Sequence, residues 1–203
     1  MHTTREPARY SRQNTQVTIA LIRHGQTDWN AAGLFQGSAD IPLNDVGRAQ
    51  ARETALALAD IQWQAIVSSP LQRARETAAI IAEELGLELG PALPEWVERS
   101  YGVYEGAPDA PELKSHPSVE KMSSVIARGY SGLNRVDQEC ERPTLVVAHG
   151  TIIRYTLNDI AGAHPEEQVV PRILNGALST IQRDAHGNWE LLSVNVNPSQ
   201  TAI

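Results

Sequence analysis

Leu21-Ile22-Arg23-His24-Gly25-Gln26-Thr27-Asp28-Trp29-Asn30 continues an apolar run, Val17-Thr18-Ile19-Ala20-Leu21-Ile22, that reads as a buried strand. A strand ending in Arg-His-Gly sets an imidazole beside a guanidinium at the carboxyl edge of a sheet, the edge where open α/β sheets bind ligands. Histidine is nucleophilic near neutral pH, and arginine carries a planar fork suited to phosphate oxygens. The local chemistry points to phosphoryl transfer through histidine. A second stretch repeats the context: Thr144-Leu145-Val146-Val147-Ala148 reads as another buried strand and is followed by His149-Gly150. In one parallel sheet both imidazoles emerge at the same edge, a nucleophile next to an oxyanion stabiliser. The glycines allow close backbone approach and turn amides toward an anion.

Around these two strands, apolar runs alternate with helical patterns. Asn44 is a plausible N-cap for a helix through the Ala-rich stretch 49–59. Ala65-Ile66-Val67-Ser68 is a short strand. Ser69-Pro70 then opens a helix, with Leu71, Ala74, Ala78, Ile81 and Leu85 at helical spacing and Gly86 as its stop. Residues 91–117 are rich in Pro and Gly and read as a long excursion with little regular structure. Met122, Ile126, Leu133 and Val136 predict a helix that Gly129 and Gly132 weaken. Another helix follows His149-Gly150 to Ile160. Leu178 to Ile181 and Trp189 to Val196 flank Asp184-Ala185-His186-Gly187-Asn188, a hairpin signal. The expected fold is α/β: a mostly parallel central sheet with helices on both faces and a C-terminal β-hairpin adding an edge strand. A single domain over residues 17–203 follows a flexible polar leader, residues 1–16.

Composition narrows the function classes. The chain has 203 residues, 41% hydrophobic and 20% charged, as in an ordinary soluble globule, and a formal charge of −7. No excess of Lys and Arg exists to neutralise a nucleic acid backbone, although a small phosphorylated substrate needs only a local cation cluster. No apolar run reaches membrane-spanning length, and the N-terminal segment has no apolar core of the secretory type. A cytoplasmic location is the expectation. Cys140, the single cysteine, sits among acidic residues that would raise its pKa, so a structural role is expected. The histidines show no metal-ligand spacing, and neither a metal nor another cofactor is expected.

The Arg-His-Gly opening, with its Trp29-Asn30 close, resembles the signature of the histidine phosphatase superfamily, which includes the cofactor-dependent phosphoglycerate mutases. Three further matches extend the resemblance. Ser69-Pro70-Leu71-Gln72-Arg73-Ala74-Arg75-Glu76-Thr77 fits the pattern Ser-x-x-x-Arg-Ala-x-x-Thr, and the resemblance implies Arg75 as the second phosphate clamp, with Arg73 structural or peripheral. Glu98-Arg99-Ser100-Tyr101-Gly102-Val103-Tyr104-Glu105-Gly106 maps the family's proton donor onto Glu98. His149-Gly150 supplies the second histidine and a phosphate-contacting backbone. Asn30 corresponds to a phosphoryl-binding residue, Gln36-Gly37 resembles a backbone-contact turn near the pocket, and Asn175-Gly176 is also family-like. Arg99 and Tyr101 either contact the substrate beyond the phosphoryl group or support the loop.

The resemblance implies a phosphomonoesterase for a small phosphorylated metabolite. His24 would accept the phosphoryl group, Arg23, Arg75, His149 and Asn30 would bind its oxygens, and Glu98 would protonate the leaving group. The alternative is mutase-type phosphoryl transfer. The family's mutases shield the intermediate with extra loop sequence, including a basic, Pro-rich insertion before the second histidine. This chain has only Ala107 to Pro117 there, with Lys114 its sole cation, which favours hydrolysis. A third reading, a non-catalytic phosphoanion sensor, needs neither the nucleophile nor the acid. Substrate identity and oligomeric state are not readable from the chain.

Overall fold

Strand β1 (Ile19–Arg23) turns Ile19 and Leu21 to one core and Ala20 and Ile22 to another, all fully buried. A strand apolar on both faces has to lie between two helical layers. The computed structural model of the protein describes residues 19–110, 112–163, 167 and 169–196, so the expected leader, residues 1–16, and the start of the first apolar run lie outside it.

Three strands run parallel to β1: β2 (Ala65–Ser68), β3 (Leu89–Ala92) and β4 (Thr144–Ala148). β5 (Leu178–Arg183) pairs antiparallel with β1, and β6 (Trp189–Val196) antiparallel with β5. The six strands form one sheet in the order β3-β2-β4-β1-β5-β6, the expected mostly parallel sheet with a C-terminal hairpin at its edge. In the hairpin turn, Asp184 Oδ1 accepts the N–H groups of His186 and Asn188.

The helices are α1 (Asp28–Ala31), α2 (Asp45–Leu58), α3 (Gln72–Leu85), α4 (Met122–Glu139) and α5 (Gly150–Ile160). α2 and α3 cover one face of the sheet, with Ala55, Leu58, Ala78 and Ile81 packed on Ile22, Ile66 and Val147. α4 and α5 cover the other, where Val125, Leu133 and Ile152 surround Trp96 and Val146. Asn44 caps α2 as its sequence suggests, its Oδ1 accepting the Gly47 N–H at 2.9 Å.

Three local features depart from the sequence reading. α3 starts at Gln72, whose N–H is held by Asp40 Oδ1 at 2.7 Å, so Pro70 precedes the helix instead of opening it. β3 lies in a stretch with no strand signal, because Gly90 and Pro91 argue against one. An edge strand tolerates Pro, and a Cβ on Gly90 would come within 2.7 Å of the Ile66 carbonyl oxygen. The two glycines that weaken the α4 prediction sit where neighbours press closest: a Cβ on Gly129 would overlap the Thr156 hydroxyl, and one on Gly132 would reach the Trp96 ring at 2.8 Å.

Candidate active site

Register brings the chemistry together. β1 and β4 pair with Arg23 opposite Ala148, and β2 and β4 with Ser68 opposite Val147, so His24, Ser69 and His149 leave neighbouring strands at one edge. β1 leads toward α2 on one face and β4 into α5 on the other. The crevice between these diverging connections is the usual ligand position in such sheets. A cavity of about 410 Å³ opens there.

His24 is 2% exposed and lines the cavity. Its Nδ1 lies 2.6 Å from the Gly25 carbonyl oxygen, which can only accept, so Nδ1 carries the hydrogen and Nε2 keeps its lone pair. Burial, then the charges of Arg23 and Arg73, hold its pKa well below the ordinary histidine value, and the ring is neutral at pH 7. The His24 backbone is held on both sides: its N–H donates to Ala148 O and its carbonyl accepts from Asn175 Nδ2 at 3.0 Å. Asn175 Nδ2 also donates to Asn30 Oδ1 at 3.1 Å. The Thr27 N–H shares that oxygen, leaving the Asn30 amide nitrogen as the group available to an anion in the cavity.

His149 is fully buried and does not line the cavity directly; its ring stands edge-on to His24 with centroids 5.1 Å apart. Arg73 Nε–H donates to His149 Nδ1 at 3.2 Å, so Nε2 bears the hydrogen and donates to Ser69 Oγ at 2.8 Å. Burial and the Arg73 charge push the His149 pKa well below the usual value. Both ring nitrogens of His149 are therefore engaged, Nδ1 as the acceptor from Arg73 and Nε2 as the donor to Ser69.

Of the two arginines in the Ser-to-Thr pattern, Arg73 and not Arg75 reaches the cavity. Arg73 lines the cavity, fully buried, with Nη1 and Nη2 donating to Ala39 O and Gly37 O at 2.6 and 2.8 Å. Arg75 is not on the cavity wall; its Nη1 donates to Gly90 O at 2.6 Å beside β3. Two residues along a helix rotate a side chain by about 200°, so one position facing the crevice turns the other away. Arg23 donates from Nη1 to Ile173 O at 2.7 Å, and its buried Nε has no partner. Burial lowers the Arg23 pKa to about 10, opposed by the nearby Glu98 charge. A buried guanidinium with an unused N–H beside His24 is suited to an anion.

Glu98 is 8% exposed and lines the same cavity. Its Oε1 accepts from the N–H groups of Arg99 and Ile152, at 2.8 and 3.1 Å, and its Oε2 from Thr151 N–H at 2.9 Å. The carboxylate thus closes the N-terminus of α5, where free amides and the dipole favour negative charge. Arg99 donates from Nε to Glu120 O and lies 5.6 Å from the Tyr101 ring centre. Tyr101 bonds through its hydroxyl to Thr151 Oγ1 at 2.6 Å, and burial raises its phenol pKa. Both residues are on the wall and both also brace the loop. Gln36 and Gly37 line it too. Gly37 has φ +53°, and a Cβ there would overlap Glu105 Oε1.

The paired glycines act differently from one another. Gly25 donates its amide to Thr77 Oγ1 at 3.1 Å, not to the cavity, and a Cβ on it would collide with the Gly47 carbonyl in the first turn of α2. Gly150 does line the cavity, and a Cβ there would stand 3.2 Å from Arg23 Nε. Sequence reading assigned no role to Thr151, Arg154, Tyr155 and Arg172, which also line the cavity. Arg154 and Tyr155 follow Gly150 by four and five residues on α5, a spacing that could have placed them on the site side. Arg172 belongs to no motif. Among the described residues, no cluster of three or more His, Cys, Asp or Glu could hold a metal ion, and no helix is long and apolar enough to cross a membrane. Cys140 is half-buried, and burial raises its thiol pKa.

The model of the histidine phosphatase superfamily (branch 1) matches residues 19–197. The chain belongs to this superfamily. Among curated members it is 40% identical over 187 residues to the uncharacterized phosphatase PhoE of Bacillus subtilis (strain 168), covering 89% of this chain and 95% of that one. It is 30% identical over 184 residues to the probable phosphoglycerate mutase GpmB of Yersinia pestis (strain Pestoides F), covering 81% and 84%. Among solved structures, a mycobacterial glucosyl-3-phosphoglycerate phosphatase in complex with VO3 superposes with a TM-score of 0.78 at 27% identity, covering 89% of this chain and 99% of that one. The matched range contains the motif residues that line this crevice.

Proposed function

We propose that the protein is a phosphomonoesterase that passes a phosphoryl group from a small metabolite to His24 and then to water. The observation that carries this reading is the state of His24: a neutral ring whose Nδ1–H is tied to Gly25 O, leaving the Nε2 lone pair beside two buried guanidiniums. Nε2 attacks phosphorus in line while the bond to the leaving oxygen breaks. Arg23, through its unpartnered Nε, Arg73 and the Asn30 amide bind the non-bridging oxygens, and positioning with charge stabilisation does most of the work. Glu98 serves as the general acid that protonates the leaving oxygen. It then takes a proton from the water that attacks the phosphohistidine, which returns inorganic phosphate and the neutral ring. His149 acts at one remove, its Nδ1 accepting from Arg73 Nε–H and so orienting that guanidinium.

Hydrolysis is favoured over phosphoryl return by the short cover, of which Leu113 reaches the cavity wall, and by the phosphatase relative at 40% identity against the mutase relative at 30%. The test is a panel of phosphomonoesters assayed for free phosphate, with alkaline-quench trapping of labelled protein. A hydrolase releases phosphate and carries a transient acid-labile, base-stable label that His24→Ala abolishes. Isomerised phosphoglycerate with negligible free phosphate would make it a mutase. Tight phosphate binding without turnover would make it a sensor.

A further inference from the structure

Five arginines line the cavity, Arg23, Arg73, Arg99, Arg154 and Arg172, against one carboxylate, Glu98. This occurs in a chain of net charge −7. Of the seven described arginines outside the cavity, five (Arg48, Arg128, Arg135, Arg142 and Arg183) form an ion pair with an Asp or Glu. None of the five cavity arginines does so among the described residues. The transferring phosphoryl group carries about two negative charges. Arg23 and Arg73, the two guanidiniums that depress His24, match it in number.

Arg99, Arg154 and Arg172 lie beyond that pair, with Glu98 the one carboxylate against them. Arg99 is buried and anchored through Nε to Glu120 O. Among the described residues Arg154 spends only Nε, on Val170 O at 2.8 Å, and its terminal nitrogens make no hydrogen bond there. The exposed Arg172 side chain makes no hydrogen bond or ion pair among the described residues, and lies near enough to Arg23 for its charge to lower that pKa. Like charges gathered in a partly desolvated cavity raise its energy unless an anion offsets them. Free guanidinium forks match the geometry of carboxylate or phosphate oxygens.

We infer that Arg154 and Arg172 form a second anion subsite, so that the preferred substrate is a phosphomonoester bearing another anionic group on its leaving portion. The inference rests on the phosphomonoesterase reading and adds the substrate class to it. The second group is an oxyanion, carboxylate or phosphate, and the test separates the two. Three substrates of one chain length suffice: n-propyl phosphate, 3-phosphonooxypropanoate and propane-1,3-diyl bisphosphate.

At least one doubly anionic compound should exceed n-propyl phosphate in kcat/KM by about ten- to a hundredfold, the range for hydrogen bonds to charged groups. Which one does so identifies the oxyanion. In the Arg154→Gln, Arg172→Gln double variant that ratio should fall to about two or less, mainly through KM, whatever its turnover of n-propyl phosphate. Equal kcat/KM on all three substrates, or a preference that survives the double variant, overturns the subsite. Calorimetry on the His24→Ala protein gives a second readout that needs no turnover. Tighter binding of the doubly anionic compound, lost when both arginines are replaced, would uphold the subsite even if no substrate were hydrolysed. Equal binding of all three would reject it independently of the hydrolase reading.

Discussion

Arg73 donates from Nε to Nδ1 of His149 across 3.2 Å, and the same guanidinium spends its other two nitrogens on the carbonyls of Gly37 and Ala39. One side chain of α3 thereby fixes the second histidine and the loop that follows α1. Arg75, two residues on, holds Gly90 O at the β3 edge. The two arginines should therefore separate cleanly by kinetics. Arg73→Ala should lower kcat by about 10²–10³-fold, the cost of one oxyanion donor. Arg75→Ala should leave kcat near wild type and cost about 1 kcal/mol of stability for the lost hydrogen bond. Phosphate release and urea denaturation on both variants check this; a large kcat loss in Arg75→Ala alone would restore the assignment made from sequence.

Glu98 is held by three backbone amides, so changing its chemistry also changes its seat. In Glu98→Gln the amide nitrogen replaces an acceptor and faces at least one of the Arg99, Thr151 or Ile152 N–H groups. The buried mismatch should destabilise the fold by about 1–3 kcal/mol. Activity should fall much more on alkyl phosphates, whose leaving alkoxide needs a proton, than on aryl phosphates, whose phenolate leaves unaided. Equal losses on both substrate types would remove Glu98 from the acid role and leave it as the cap of α5.

The two glycines that follow the histidines give opposite expectations. A Cβ on Gly150 stands 3.2 Å from Arg23 Nε, a distance the neighbour can absorb by shifting a few tenths of an ångström. Gly150→Ala should fold, displace the guanidinium and lower kcat/KM. Gly25→Ala has no such escape, because the obstruction is the Gly47 backbone at the start of α2. It should depress the melting temperature steeply, by several degrees per kcal/mol lost. Thermal melts and kinetics on the two variants distinguish a site glycine from a packing glycine.

What was legible in the sequence follows from how local its cause is. β1 and β4 are apolar on both faces and end in histidine, so strand, depth and edge position are all written within five or six residues. α2 is signalled by Asn44, and the hairpin by Asp184 to Asn188. β3 was hidden because its stability comes from pairing with β2, not from its own Leu-Gly-Pro-Ala residues. The Ser-to-Thr pattern contains two arginines, and only the start and rotation of α3 decide that Arg73 is the one facing the crevice. Arg172 carries no sequence signal, since a tertiary approach of the segment before β5 brings it to the cavity.

The buried neutral state of the histidines predicts an acid-sensitive fold. In the unfolded chain both His24 and His149 bind protons as pH falls through about 6.5. In the folded protein burial and the arginine charges hold both pKa values well below that, so the folded state does not take up those protons over the same range. The unfolded state then binds up to two more protons, and stability rises with pH in this window. The contribution is fully present above pH 6.5 and is lost as pH drops below it, at up to about 2.7 kcal/mol per pH unit for two groups. Urea midpoints at pH 7.5, 6.5 and 5.5 should show a much steeper fall over the second interval than the first. His149→Gln, which keeps a polar group beside Ser69 but cannot titrate, should lower that slope by up to one proton. An anion in the cavity should also flatten the slope, because its charge offsets the arginines that disfavour protonation. Saturating inorganic phosphate supplies that comparison: if the midpoint fell just as steeply with phosphate bound, the arginine charges would not be what disfavours protonation, and burial alone would carry the effect.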